Sequence, residues 1–181
     1  LHGEPITGSI SVAVPKNLGA SVDPSVIEGV RKASSVLSNA GYLVEEVQTP
    51  STDELLQAWG ATLFTDLKYL VEPSIREFGS PDINTSFDFR TGMWPDIEFA
   101  DYVISLGKRE QIIRDWMILQ ERYPIILAPV SLEPPLYPRE DCRSSERYRE
   151  IAIAQTWLIA ANFLGLLAAA VPTGLYKGLP T

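Results

Sequence analysis

With 181 residues, 45% of them hydrophobic, 9% aromatic and 21% charged, the chain has the make-up of a folded domain and not of a disordered segment. Its 23 acidic residues against 15 basic ones leave a net charge of -8, and the basic residues are scattered, which argues against a nucleic-acid footprint and against docking on an anionic membrane. Cys142 is the sole cysteine, so neither an internal disulfide framework nor a cysteine-based metal site can be built.

A thiol-poor chain suits a reducing compartment, and no signal or transit segment is readable, so the expected location is the cytoplasm. The sequence starts at Leu1 without a methionine and stops at Thr181, directly after Gly178-Leu179-Pro180. We therefore expect a piece of a longer protein.

ITGSISVAVP opens the chain. Ile10, Val12 and Val14 alternate with Ser9, Ser11 and Ala13, the period of a half-buried strand. Pro15 and Gly19 break it. Asp23-Pro24 then supplies a helix cap followed by proline at the first helical position. Val26, Ile27, Val30, Ala33, Val36, Leu37 and Ala40 mark one face behind it, and Gly41 is placed to end the helix. YLVEEV follows and is closed by Pro50. Strand, helix and strand in this order predict a right-handed crossover between parallel strands.

Ser51 and Glu54 form a capping box. The helix they start carries Leu55, Leu56, Trp59, Leu63, Leu67 and Leu70 inward and should stop before Pro73. From Phe78 to Trp94 the pattern dissolves into Gly, Pro, Asn, Asp and Ser, which predicts a loop. A long helix follows from near Asp96, with Phe99, Tyr102, Val103, Leu106, Ile112, Ile113, Trp116 and Leu119 inward. Its other face holds Lys108, Arg109, Glu110, Arg114 and Asp115 and reads as solvated. IILAPV, from Ile125 to Val130, is a buried strand, SLEPPLYPRED a proline-rich loop, and RSSERYRE a charged lead-in to the last apolar run.

That run is uncharged from Ile151 to Val171, long enough to cross a bilayer. Gln155, Thr156 and Asn162 are costly in lipid, and Gly165 interrupts the middle. IAIAQTWLIAANF is therefore expected as a buried helix and LLAAAVP as a short inner strand, with no membrane span.

Chemistry is scarce. His2 is the only histidine, so neither a Ser-His-Asp triad nor a histidine zinc site can form. No phosphate-cradling glycine motif occurs. Glu98 and Asp101 read as a solvated pair, and Cys142 lies among charges without a base beside it. Ser34-Ser35 and Ser144-Ser145 lack the glycine-rich setting that exposes a strained nucleophile. The residues point to no catalytic group, no metal and no cofactor. They leave open a non-catalytic α/β module that binds a small molecule or serves assembly.

Asn162-Phe163-Leu164-Gly165-Leu166-Leu167-Ala168, Ala170-Val171-Pro172-Thr173-Gly174 and Gly178-Leu179-Pro180 together resemble the carboxyl-terminal signature of the amidase signature family. Leu167 stands where that family usually has proline. Leu37, Ala40-Gly41-Tyr42, Val44-Glu45-Glu46 and Pro50 look like the strand-helix-strand unit that follows the catalytic part in these enzymes. Arg90, Gly92, Tyr102, Arg109 and the run from Tyr123 to Pro129 resemble its long helix and buried strand, though Tyr123-Pro124 replaces an aspartate often found there.

The resemblance implies one α/β region over residues 1–181, an incomplete part of the amidase signature fold, with a mixed sheet of about four strands packed with helices. It implies a parent that hydrolyses amide C–N bonds with a serine nucleophile, a second serine and a lysine base, all upstream of this piece. Lys16, Lys32, Lys68, Lys108 and Lys177 lie outside such a context, so no catalytic residue is assigned. The implied partners are a small-molecule amide, the missing upstream region, and a second copy paired through an exposed sheet edge. Ile151, Ala152 and Gln155 are the implied lining of the substrate channel, with Trp94 a further candidate; plain core packing is the competing account of each. Trp59, Trp116 and Trp157 are assigned to the core.

Overall fold

The computed structural model describes residues 8–94 and 96–180. His2 and the first two residues of ITGSISVAVP lie outside the described residues. Strand β1 (Ser11–Pro15) is central, with β2 (Leu43–Val47) paired parallel on one side and β3 (Ile125–Ile126) parallel on the other. Ser11 faces Leu43 and Pro15 faces Val47 in the first pair; Val12 faces Ile125 in the second. Four consecutive residues of β1 are buried, so it is covered on both faces as a central parallel strand should be, and not on one face only.

Helix α1 (Pro24–Asn39) makes the expected crossover. The Asp23 carboxylate accepts from the Ser25 backbone N–H at 2.8 Å and from its hydroxyl, and these bonds hold its pKa below the ordinary value. Gly41 follows at φ 93°, a conformation open to glycine at little cost. The helix buries Ser25 and Gly29, while Ile27 and Val36 of the predicted inner face remain exposed.

Helix α2 (Thr52–Leu70) starts on the predicted cap, the Ser51 hydroxyl accepting from the Glu54 N–H at 3.3 Å. Its buried side runs through Leu55, Ala58, Gly60, Thr62 and Phe64, so Leu70 ends up exposed. The expected loop from Phe78 to Trp94 is instead largely helical, with α3 (Glu72–Phe78) leading into α4 (Pro81–Gly92). The Ser80 hydroxyl caps α4 through the Ile83 N–H, with Pro81 at its start. Arg76 ties α3 to Asp88, and Phe87 is the one buried residue of α4. A helix held by caps and ion pairs over a single buried side chain shows no apolar stripe in its sequence.

Helix α5 (Phe99–Arg122) begins three residues later than Asp96. It buries Ser105, Ile112 and Trp116, but Phe99, Val103 and Leu106 are exposed, contrary to the expected inner face. Arg109 departs from the solvated face: its Nε donates to the Phe163 carbonyl at 3.0 Å, and the guanidinium lies 5.4 Å from the Phe163 ring.

The last apolar run splits at Gln155 into α6 (Ser145–Ala154) and α7 (Thr156–Leu164), and Gly165 at φ 70° ends α7. Among the described residues no helix is long and apolar enough to cross a membrane. The expected inner strand LLAAAVP is absent. That stretch has no regular structure, Leu167 is fully exposed and Val171 is 75% exposed. Short strands β4 (Leu175–Tyr176) and β5 (Leu179–Pro180) form an antiparallel hairpin whose turn, Lys177-Gly178, has both residues at positive φ. Among the described residues the sheets are thus three parallel strands and a separate pair, not one mixed sheet of about four.

The core joins α2, α5 and α7 through Leu55, Trp116, Trp157, Ile159 and Phe163. Trp116 meets Trp157 edge to face at 6.2 Å, and the Trp157 indole N–H donates to the Leu18 carbonyl at 2.8 Å. Trp59 packs against this cluster, half-buried.

Candidate functional site

Beyond β3 the chain crosses the molecule. The Leu127 N–H donates to the Ala13 carbonyl, the Leu132 carbonyl accepts from the Asp23 N–H, the Leu132 N–H donates to the Ala154 carbonyl, and each bond is 2.8 Å long. These anchors hold residues 127–136 between α1 and the break separating α6 from α7. Under this strap lies an apolar cavity of about 590 Å³, a size suited to a small molecule. Val26, Val30 and Ala33 of α1 form one wall, Ala128 and Pro134 of the strap another, and Ala169 to Val171 border it from the far side.

Among the described residues its polar side chains are few: Ser131, Glu133, Gln155 and Thr173. Gly29 lets the C-terminal segment approach α1, since a Cβ there would lie 2.8 Å from the Thr173 hydroxyl. Lys32 fixes the same segment by donating to the Thr173 carbonyl at 2.5 Å. A larger groove of about 820 Å³ runs along the other flank of α1, lined by Lys16, Arg31 and several serines. None of the predicted residues lines that groove.

Glu133 is held by an unusual partner. Arg147, its side chain 19% exposed, donates one guanidinium nitrogen to both Glu133 oxygens at 3.1 and 3.0 Å. The same side chain bonds Glu140 and Glu150. Burial alone would depress the arginine pKa; Glu133 and Glu150 outweigh it and raise the value.

Of the four predicted site residues, Gln155 lines the cavity. Ile151 is buried in the protein interior and Ala152 is half-buried, and neither reaches the cavity wall. Trp94 belongs elsewhere. It stacks on Phe64 at 5.7 Å, covers Gly60 so closely that a Cβ would sit 2.4 Å from its ring, and borders a separate cavity of about 410 Å³. Its indole nitrogen has no hydrogen-bond partner among the described residues. The residues missed from sequence are Ser131 and Glu133 in the strap, and Gly29 on α1.

The nucleophile candidates are engaged in structure. Ser34 and Ser35 donate to backbone carbonyls one turn back, and Ser144 caps α6. Burial pushes the Cys142 thiol above its ordinary pKa, with Asp141 and Asp82 adding to the shift, and the thiol donates to the Asp82 carbonyl. Among the described residues no three His, Cys, Asp or Glu side chains gather to hold a metal ion. The arrangement can enclose an apolar group and offer it a few hydrogen bonds.

Parallel strands under helices, with an apolar cavity beside the sheet, define an α/β scaffold. The amidase family model matches residues 5–181, and the chain belongs to that family. An indoleacetamide hydrolase from Bradyrhizobium diazoefficiens is 30% identical over 99% of this chain and 35% of its own length. A glutamyl-tRNA(Gln) amidotransferase component from Symbiobacterium thermophilum is 26% identical over 98% of this chain and 41% of its own. Among solved structures, a bacterial aryl acylamidase of the amidase signature enzymes superposes with a TM-score of 0.68 at 21% identity, covering 95% of this chain and 38% of that one. This last likeness establishes the fold alone. The chain spans between 35% and 41% of the length of these two curated relatives.

Proposed function

We propose that this chain is the carboxyl-terminal part of a cytoplasmic amide C–N hydrolase, a single α/β region over residues 1–181. It supplies scaffold and one wall of the acyl pocket. The serine nucleophile and its lysine base come from an upstream region, without metal or cofactor. The observation that carries this reading is the match of one family across residues 5–181. The cavity at Gln155 supports its second half, since a mostly apolar wall with a few hydrogen-bonding groups suits the acyl side of an aryl or indolyl acetamide.

Within that wall Gln155 orients the ligand, Ile151 and Ala152 back it from the interior, and Trp94 braces α2 at a distance. Chain edges fit the same proposal. The strand β3 ends its sheet with Ile125 partly exposed. The upstream region covers that edge in the parent, and a second copy covers it when the piece stands alone.

The test is to join this chain to the preceding part of its gene and assay neutral aryl and indolyl acetamides by released ammonia. Turnover by the joined protein and none by the 181-residue chain is the expected result. Inactivity of the joined protein across a broad amide panel, while this chain alone binds a small molecule, would favour the non-catalytic binding module instead.

A further inference from the structure

We propose that Glu133 sets the charge class of the acyl group this cavity takes, admitting neutral and cationic amides and rejecting those whose acyl side carries a carboxylate. The inference rests on the reading of the cavity as the acyl wall. Glu133 is the one charged side chain among the described residues that line it. Were its charge cancelled by Arg147, the wall would be electrically neutral. It is not cancelled: Glu133, Glu140 and Glu150 share a single guanidinium, leaving two negative charges on the cluster.

The cluster is also fixed in place. Glu133 lies between two backbone anchors of the strap, Leu132 to α6 and Tyr137 to the Glu140 carboxylate at 2.9 Å. Each Glu133 oxygen accepts one bond from Arg147 and retains a lone pair for a ligand N–H. Lys32 is directed to the Thr173 carbonyl and, like Arg147, lies outside the described lining of the cavity. The rest of the described lining is neutral, and most of it apolar, so a ligand carboxylate would lose water, meet a like charge and find no cationic partner there.

The experiment compares three arylacetamides matched in size, with a neutral, a carboxylate or an ammonium group at the ring position far from the amide. Their kcat/KM values are measured on the joined protein, as wild type, Glu133→Gln and Glu150→Gln. Wild type is expected to discriminate against the carboxylate amide. Glu133→Gln should narrow the ratio of neutral to carboxylate amide about tenfold, mainly through KM, the size of one partly screened charge at close range. Glu150→Gln, which removes a more exposed charge outside the cavity lining but leaves Arg147 fewer carboxylates to share, should narrow the ratio in the same direction and by less, about threefold.

An unchanged ratio in a folded Glu133→Gln protein that still hydrolyses the neutral amide overturns the proposal. If no amide is turned over by any form, the hydrolase reading fails and the charge reading is decided by binding. Saturation-transfer NMR with the same three compounds on the wild-type chain then supports it if the order ammonium and neutral above carboxylate flattens from about 20 mM to about 500 mM salt, and overturns it if the order is absent or insensitive to salt. That salt series also decides the matter should Glu133→Gln not fold.

Discussion

Arg109 and Arg147 look alike in sequence, each a basic residue in a charged stretch, and the fold uses both to hold chain segments together. Arg109 reaches the Phe163 carbonyl of α7 and stacks on the Phe163 ring, while Arg147 draws the strap onto α6. A basic residue shows no spacing rule when its partner lies 54 positions away, so Arg109 reads as surface. Glu133 was hidden for the same reason, since a lone acid in a proline-rich loop gains its meaning from Arg147. Gln155 entered as a candidate only through the family resemblance, together with Ile151, Ala152 and Trp94, and it borders the cavity. Those three pack the interior or α2, as apolar residues in a core helix or beside a glycine commonly do. Trp157 gives the residue scale its prediction. Its indole N–H satisfies the buried side of the Leu18 loop while the ring meets Trp116. Trp157→Phe keeps an aromatic ring but orphans the Leu18 carbonyl and leaves a gap, a loss of about 2 kcal/mol. Thermal denaturation followed by circular dichroism should show a midpoint lower by about 4–8 °C; an unchanged midpoint would mean that the bond contributes nothing.

At the scale of elements, the legible parts were those written locally. Asp23-Pro24 and Gly41 bracket α1, and Ser51 with Glu54 starts α2, because caps act within a few residues. Helix α4 escaped since its caps sit among loop-forming residues and its one buried side chain makes no stripe. LLAAAVP failed for the opposite reason. Its composition suits a strand, but a strand exists only by pairing, and no neighbour is there to pair with it among the described residues. The cap of α1 carries a pH prediction. Bonds from Ser25 depress the Asp23 pKa from an ordinary 3.8, so its contribution is complete above about pH 4 and fades as acid titrates the folded state. Asn caps as well as Asp but does not ionise. Asp23→Asn should therefore match the wild-type melting point at about pH 7 within about 2 °C, and should lose less stability than wild type between about pH 4.5 and about pH 2.5. Parallel loss in the two proteins would remove Asp23 from the acid response.

For the whole molecule, the defining feature is apolar surface lying along one run of chain. Leu167 is fully exposed, Val171 nearly so, and both follow a helix whose other end is packed against Trp116. A net charge of -8 opposes association but does nothing to cover these groups. On the function proposed above, residues 166–172 become a paired strand once an upstream region supplies the rest of the sheet, because their backbone groups then find partners and their side chains leave water. Backbone amide exchange reads this directly. In the isolated chain at low concentration, the N–H groups of residues 167–171 should exchange at nearly the rate of an unstructured peptide, while those of β1 are strongly protected. Joining the upstream region should slow exchange in this stretch by at least about a hundredfold, the equivalent of roughly 2.7 kcal/mol of local stability. High concentrations of the isolated chain should give partial protection together with a dimer in sedimentation, as a second copy takes the open place. Protection of the stretch already present in a dilute monomer would mean that it has found partners within this chain, and fast exchange persisting in the joined protein would mean that the parent sheet does not include it.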